Sequence, residues 1–148
     1  MASFLGTGPG LSKNVPVRSV DVEPVPKQWS RAEYQRLGEF GLLTERVELV
    51  EGAIVRMSPQ NVAHTRSVSR GTTLLVRLFG DSHYVRVQCA LFLGEYSEPE
   101  PDFALVPLAL VDGPEATDNP STADLVIEVS DSSLTYDRGT KLRLYASA

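Results

Sequence analysis

Two carboxylates stand inside runs of otherwise apolar residues, and this placement constrains the fold more than any other feature of the chain. Asp102 lies in Pro101-Asp102-Phe103-Ala104-Leu105-Val106, and Glu128 in Leu125-Val126-Ile127-Glu128-Val129. Short runs rich in Val, Ile, Leu and Phe, bounded by Pro and polar residues, read as buried strands. An ionised group in such a run is costly to desolvate unless something compensates it. Two of them, followed thirteen residues after the second by Lys141, point to a metal-dependent hydrolytic site. The plainer alternative puts each acid at a strand end, solvated or paired with an arginine.

A chain of 148 residues is long enough for one domain with a real hydrophobic core. With 42% hydrophobic and 22% charged residues it has an ordinary soluble composition. No apolar run approaches the roughly 20 residues of a membrane span, and no secretory signal pattern opens the chain, so no membrane partner is expected. The single cysteine, Cys89, cannot close an internal disulfide, which favours a reducing cytoplasm. It falls in a strand-like stretch and reads as a small core residue. A net charge of −5 argues against broad electrostatic binding of nucleic acid. A nuclease site gathers carboxylates for metal, however, and its basic surface can be local.

Residues 1 to 26 mix Gly, Pro, Ser and Val without periodicity and read as a flexible arm, leaving a domain over 27–148. Ser30 with Glu33 three residues on predicts a capped helix running to about Leu37. Val47–Val50 and Ala53–Met57, around Glu51-Gly52, predict a β-hairpin. Ser58-Pro59 predicts the start of a second helix that ends near Phe79, before Gly80. On that helix Arg66, Arg70 and Arg77 fall within about 40° of one another. Val68, Leu75 and Phe79 lie opposite, giving a basic stripe and an apolar back. Strands are expected around 84–88, 90–94, 102–106 and 124–129, with a loop before the last and a closing helix from about Leu134. The sum is a mixed α/β fold, a central sheet flanked by helices.

Phosphodiester hydrolysis needs a hard cation held by carboxylates from different strands, and a nearby lysine to orient water or stabilise charge on phosphate. Asp102 and Glu128 supply two ligands, and Glu48 on the hairpin can supply a third. The alternative for Glu48 is a solvated hairpin residue or an arginine partner. Lys141 stands four residues before Tyr145 and seven after Leu134, apolar company that turns its face inward; snorkelling at the core rim is the alternative. His64 falls on the apolar side of its helix, near Gly71, Leu75 and Leu78, where a hydrogen-bonded core histidine is the commoner outcome than an accessory catalytic one. His83 reads as loop. The arginine stripe suits DNA phosphates, or else is a solvated face paired with acids of the 112–118 loop. No Gly-rich phosphate loop, Gly-x-Ser-x-Gly turn or paired zinc spacing is present.

Taken in order, Arg46-Val47-Glu48-Leu49-Val50-Glu51-Gly52, Met57-Ser58-Pro59, His64, Pro101-Asp102, Glu128-Val129-Ser130 and Asp137 with Lys141 and Tyr145 form a pattern that resembles the Uma-two family. The resemblance covers about residue 28 to the end. It implies a restriction-endonuclease-like core of the PD-(D/E)xK superfamily and Mg2+-dependent cleavage of DNA, with Mn2+ as a substitute. By position it implies metal binding at Asp102 and Glu128, catalytic assistance from Lys141, and Glu48 completing the acidic cluster. It assigns no role to His64. The superfamily's usual lysine position, two residues after the second acid, is Ser130 here, and the family's lysine on the following helix matches Lys141 instead. The family's next elements, a Gly-Val turn and a strand with a Tyr-Trp pair, fall beyond residue 148, so a C-terminally truncated domain with an open sheet edge is expected.

Two classes of function follow. One is a metal-dependent endonuclease. The other is a non-catalytic nucleic-acid- or protein-binding remnant of the same fold, inactive because of truncation or working only as an oligomer; a homodimer is the expected partner state. Whether Asp102 and Glu128 converge on one site discriminates between them.

Overall fold

The computed structural model describes residues 23–112, 116, 119–130 and 134–147. The arm expected over 1–26 therefore lies, up to residue 22, outside the described residues. Helix α1 (Arg31–Glu39) opens on a complete capping box: the Ser30 hydroxyl accepts from Glu33 N–H, and the Glu33 carboxylate accepts from Ser30 N–H. Its one buried side chain, Tyr34, donates its hydroxyl to Val47 O at 2.9 Å and so ties the helix to the hairpin.

The hairpin forms as expected from β1 (Val47–Val50) and β2 (Ala53–Arg56), paired so that Val50 faces Ala53 across a two-residue turn. Glu51 and Gly52 carry φ of +50° and +80°, the primed turn whose twist suits antiparallel strands. A Cβ on Gly52 would come within 2.8 Å of the Gln28 side chain. Glycine is therefore required twice over.

Helix α2 (Val62–Phe79) starts later than Ser58. Asn61 is the cap, its side-chain oxygen accepting from His64 N–H at 2.8 Å, and residues 58–60 stay outside the helix. Both Ser58 and Asn61 are good caps, and spacing alone does not rank them. Val68 and Leu75 are buried and Arg66, Arg70 and Arg77 exposed, whereas Leu78, expected on the apolar side with His64, is 61% exposed.

A three-stranded antiparallel sheet follows, in the order β3-β4-β5, built from β3 (His83–Val87), β4 (Phe103–Pro107) and β5 (Leu125–Ile127). The expected strand at 90–94 is absent. Gln88 takes φ of +52° and turns the chain out of β3, after which Leu91 and Leu93 bond back to Pro99 and Ser97. The same turn leaves Cys89 exposed, not in the core. His83 is the first residue of β3, not loop, and its Nε2 lies 2.9 Å from Asp124. A short helix α3 (Leu108–Val111) occupies ground expected to be irregular.

Strand β4 is buried on both faces, and alternation assigns its side chains to two cores. Phe103 and Leu105 pack with Val68 and Leu75 of α2; Ala104 and Val106 pack with Val50, Leu91, Leu93 and Leu144. Each fully buried Leu, Val or Phe contributes about 1.5–3 kcal/mol. Gly71 is where α2 meets the sheet most closely: a Cβ there would lie 2.5 Å from the Phe103 ring.

The closing helix is a composite. A short turn, α4 (Leu134–Tyr136), leads through a π-helical turn, Asp137–Lys141, into α5 (Leu142–Ala146). Leu134 is 45% exposed, so it does not supply the inward-facing company expected for Lys141. The widened turn and its acidic partners do. Among the described residues no helix is long and apolar enough to cross a membrane.

Candidate active site

The sheet register brings the two strand acids together. Phe103 pairs with Ile127, and one further step sets Asp102 opposite Glu128, on the same side of neighbouring antiparallel strands. There the side chains replace ladder bonds: Val129 N–H donates to Asp102 Oδ2 at 2.9 Å, and Asp102 N lies 3.4 Å from Glu128 Oε2. The other oxygen of Asp102 accepts from Gln88 Nε2 at 3.0 Å and lies 3.0 Å from His64 Nε2. His64 Nδ1 is 3.1 Å from Val129 O. The ring is thus held across the ends of both strands, one nitrogen at Val129 O and the other at Asp102.

Glu128 is compensated differently. Lys141 Nζ lies 2.8 Å from its Oε1 and 3.0 Å from Glu48 Oε2, and Tyr145 donates its hydroxyl to the same Oε1 at 2.7 Å. Glu48 Oε2 also accepts from Glu100 N–H at 3.2 Å. Glu48 is only 3% exposed and Lys141 4%. Glu48 is thus neither a solvated hairpin residue nor an arginine's partner, since Arg46 pairs with Glu100. Burial disfavours the Lys141 ammonium, but the charges of Glu128 and Glu48 and their hydrogen bonds outweigh it and hold the group protonated beyond its usual range. For Glu128 burial pushes the carboxyl up, and Lys141 offsets this only in part. Burial, then the charge of Glu128, keeps Tyr145 a phenol and hence a donor.

Glu48, His64, Asp102, Glu128 and Lys141 line an open cleft of about 320 Å3. Arg46, which alternation sets on the face of Glu48, also lines it, as do Arg56 and Tyr136, which nothing in their spacing marked beforehand. Gln88 went unmarked as well, because its role follows from a positive φ that no motif announces. The Arg66, Arg70 and Arg77 stripe is not part of the cleft. It lies on the outer face of α2, and no ion pair to it occurs among the described residues. Most of the 112–118 loop, its expected acidic partner, lies outside those residues.

Glu48 and Glu128 share one lysine, and Asp102 lies on the strand beside Glu128 with His64 as its nearest basic group, so acids outnumber Lys141 on the floor of the cleft. Uncompensated buried charge is expensive, and a divalent cation is the natural complement. No trio of His, Cys, Asp or Glu among the described residues is arranged to hold an ion by itself. Asp102 and Glu128 are nonetheless hard oxygen donors on neighbouring strands, the kind of group a divalent cation takes.

A mixed α/β domain with facing strand acids and a helix-borne lysine is the class defined by this fold and cleft. The chain belongs to the Uma2 family, whose model, described as "Putative restriction endonuclease", matches residues 31–148. No curated protein matches the chain.

Proposed function

We propose that this chain is a metal-dependent endonuclease that hydrolyses DNA phosphodiester bonds. The observation that carries the reading is the buried Lys141 bridging Glu48 and Glu128, one strand away from Asp102, on the floor of an open cleft. Asp102 and Glu128 would hold Mg2+, or Mn2+ in its place, with water completing the shell. When bound, such a cation polarises a phosphate and makes a water more acidic.

The chain's own groups do the rest. Lys141 presents a fixed ammonium to the phosphate, where developing negative charge is stabilised without reorganisation. Glu48 holds that ammonium in place, its Oε2 being engaged by Lys141 and Glu100 N–H, and completes the acidic cluster. Tyr145 fixes the rotamer of Glu128, and Gln88, Val129 N–H and His64 fix Asp102. His64 acts through Asp102 as a positioning residue. Arg66, Arg70 and Arg77 would meet phosphates further along the duplex.

Plasmid cleavage with Mg2+ tests the reading. The chain should nick or linearise DNA, and Asp102→Asn, Glu128→Gln and Lys141→Ala should each abolish cleavage while keeping the fold. Because the carboxamides keep size and lose charge, metal affinity should fall with activity. Cleavage that survives all three substitutions would refute the assignment. The net charge of −5 favours a second reading, a non-catalytic binding protein on the same scaffold. That protein would bind a partner without metal-dependent cleavage.

A further inference from the structure

Two tyrosines of the closing helix lie close to the acidic floor, and their hydroxyls differ in one respect. Tyr145 spends its proton on Glu128 Oε1 at 2.7 Å. Tyr136 lines the cleft, its hydroxyl is shielded from solvent, and it has no hydrogen-bond partner among the described residues. Leaving a buried hydroxyl unpaired is costly, and native structures seldom tolerate it without a reason. Glu48, Lys141 and Asp137 are the charged neighbours whose fields reach it in the cleft, with Glu51 beyond. None of them closes a hydrogen bond with it.

We infer that the Tyr136 hydroxyl is a substrate-contacting group, donating a hydrogen bond to a phosphate oxygen of the strand bound in the cleft. The inference rests on the nuclease reading and adds a residue to it. The phenol is suited to this task because burial and the charge of Glu48 push its pKa up to about 12, so it remains a donor and adds no negative charge beside a phosphate. Its position also suits it. Tyr136 immediately precedes the π-helical turn that ends at Lys141, and such widened turns often sit at functional sites. The same local distortion thus carries both the ammonium and the hydroxyl, and a phosphate facing Lys141 would give Tyr136 the acceptor that the protein withholds.

The test is Tyr136→Phe, with Tyr145→Phe as its internal comparison. Three quantities are measured on each: kcat/KM for plasmid cleavage in Mg2+, affinity for a short DNA duplex in Ca2+, and Tm. A hydrogen bond to a charged oxygen is strong enough that its loss should lower kcat/KM for Tyr136→Phe by roughly 10- to 100-fold. Duplex affinity should weaken as well, while Tm is unchanged or higher, because the substitution removes an unpaired hydroxyl and breaks no internal bond. Tyr145→Phe should lower Tm and activity together. Unchanged kcat/KM and affinity for Tyr136→Phe would overturn the inference. So would a fall in Tm like that of Tyr145→Phe, or failure to fold, since either marks the hydroxyl as structural. A wild-type chain that neither binds nor cuts the duplex would overturn the nuclease reading itself, an outcome distinct from a nuclease indifferent to Tyr136.

Discussion

Lys141 and the α2 arginines carry the same sign of charge in opposite circumstances. Lys141 is buried between Glu48 and Glu128, with no freedom to exchange partners for water. Arg66, Arg70 and Arg77 stand in solvent on the far side of a helix whose other face is core. In a low-dielectric site one charge controls the protonation and geometry of its neighbours; at the surface, salt screens it within about 10 Å. The two basic regions should therefore respond quite differently to substitution. On the proposed reading, Lys141 should govern stability and chemistry together, and the stripe long-range attraction alone.

The largest expected effect is on Lys141. Lys141→Met leaves Glu48 and Glu128 buried without a counter-charge, which should cost about 3–5 kcal/mol of unfolding free energy at neutral pH. Denaturant titration measures this. Adding Glu48→Gln to Lys141→Met should recover part of the loss, because one stranded charge is removed; a double variant less stable than the single would break the account of the pair. The pH dependence has a definite sign. A lysine whose folded pKa lies above its unfolded value stabilises the fold fully below the unfolded value of 10.5, and that contribution disappears as pH rises through the folded pKa. Wild-type stability should thus fall in alkali above about pH 10.5 more steeply than that of Lys141→Met. Glu128 works in the other range. Its folded pKa is raised, so its ionisation costs stability as pH climbs above the usual 4.5.

A smaller effect is expected at Tyr145. Tyr145→Phe removes the donor at 2.7 Å from Glu128 Oε1 and should cost about 1.5–3 kcal/mol, the range for a bond to a charged group. Thermal unfolding checks it. A cost near zero would mean that Lys141 alone satisfies Glu128.

How far the site was legible follows the same division between buried and exposed charge. Asp102 and Glu128 were visible because each interrupts an apolar run, and their pairing is a matter of register. Lys141 was visible through its spacing to Tyr145, although Leu134, its other supposed companion, proves exposed. The burial of Glu48 was not legible, since its partner arrives from the opposite end of the chain through a π-helical turn that no local pattern marks. The lost strand at 90–94 and the exposure of Cys89 share one cause, the positive φ of Gln88, a conformation more usual for glycine. The late start of α2 arose from two acceptable caps in competition, Ser58 and Asn61. The mixed α/β class needed none of these details, because it rests on the hairpin, the long amphipathic α2 and the two-faced β4, whose patterns are strong.

The smallest effect belongs to the stripe. Replacing Arg66, Arg70 and Arg77 together by Ala should change stability by no more than about 0.5 kcal/mol per site. Each arginine that reaches a phosphate should contribute about 0.9 to the salt slope of duplex binding. Affinity measured across a salt series decides the point: an unchanged slope would reduce the stripe to a solvated helix face.

The central claim is that the acidic floor beside Lys141 is a divalent-cation site, and titration calorimetry with Mn2+ and Mg2+ tests it most directly. Wild-type protein should bind the cation, and Asp102→Asn and Glu128→Gln should each abolish or severely weaken binding while remaining folded. Absence of binding to the wild type, or equal binding to the folded Asp102→Asn and Glu128→Gln variants, would contradict the claim.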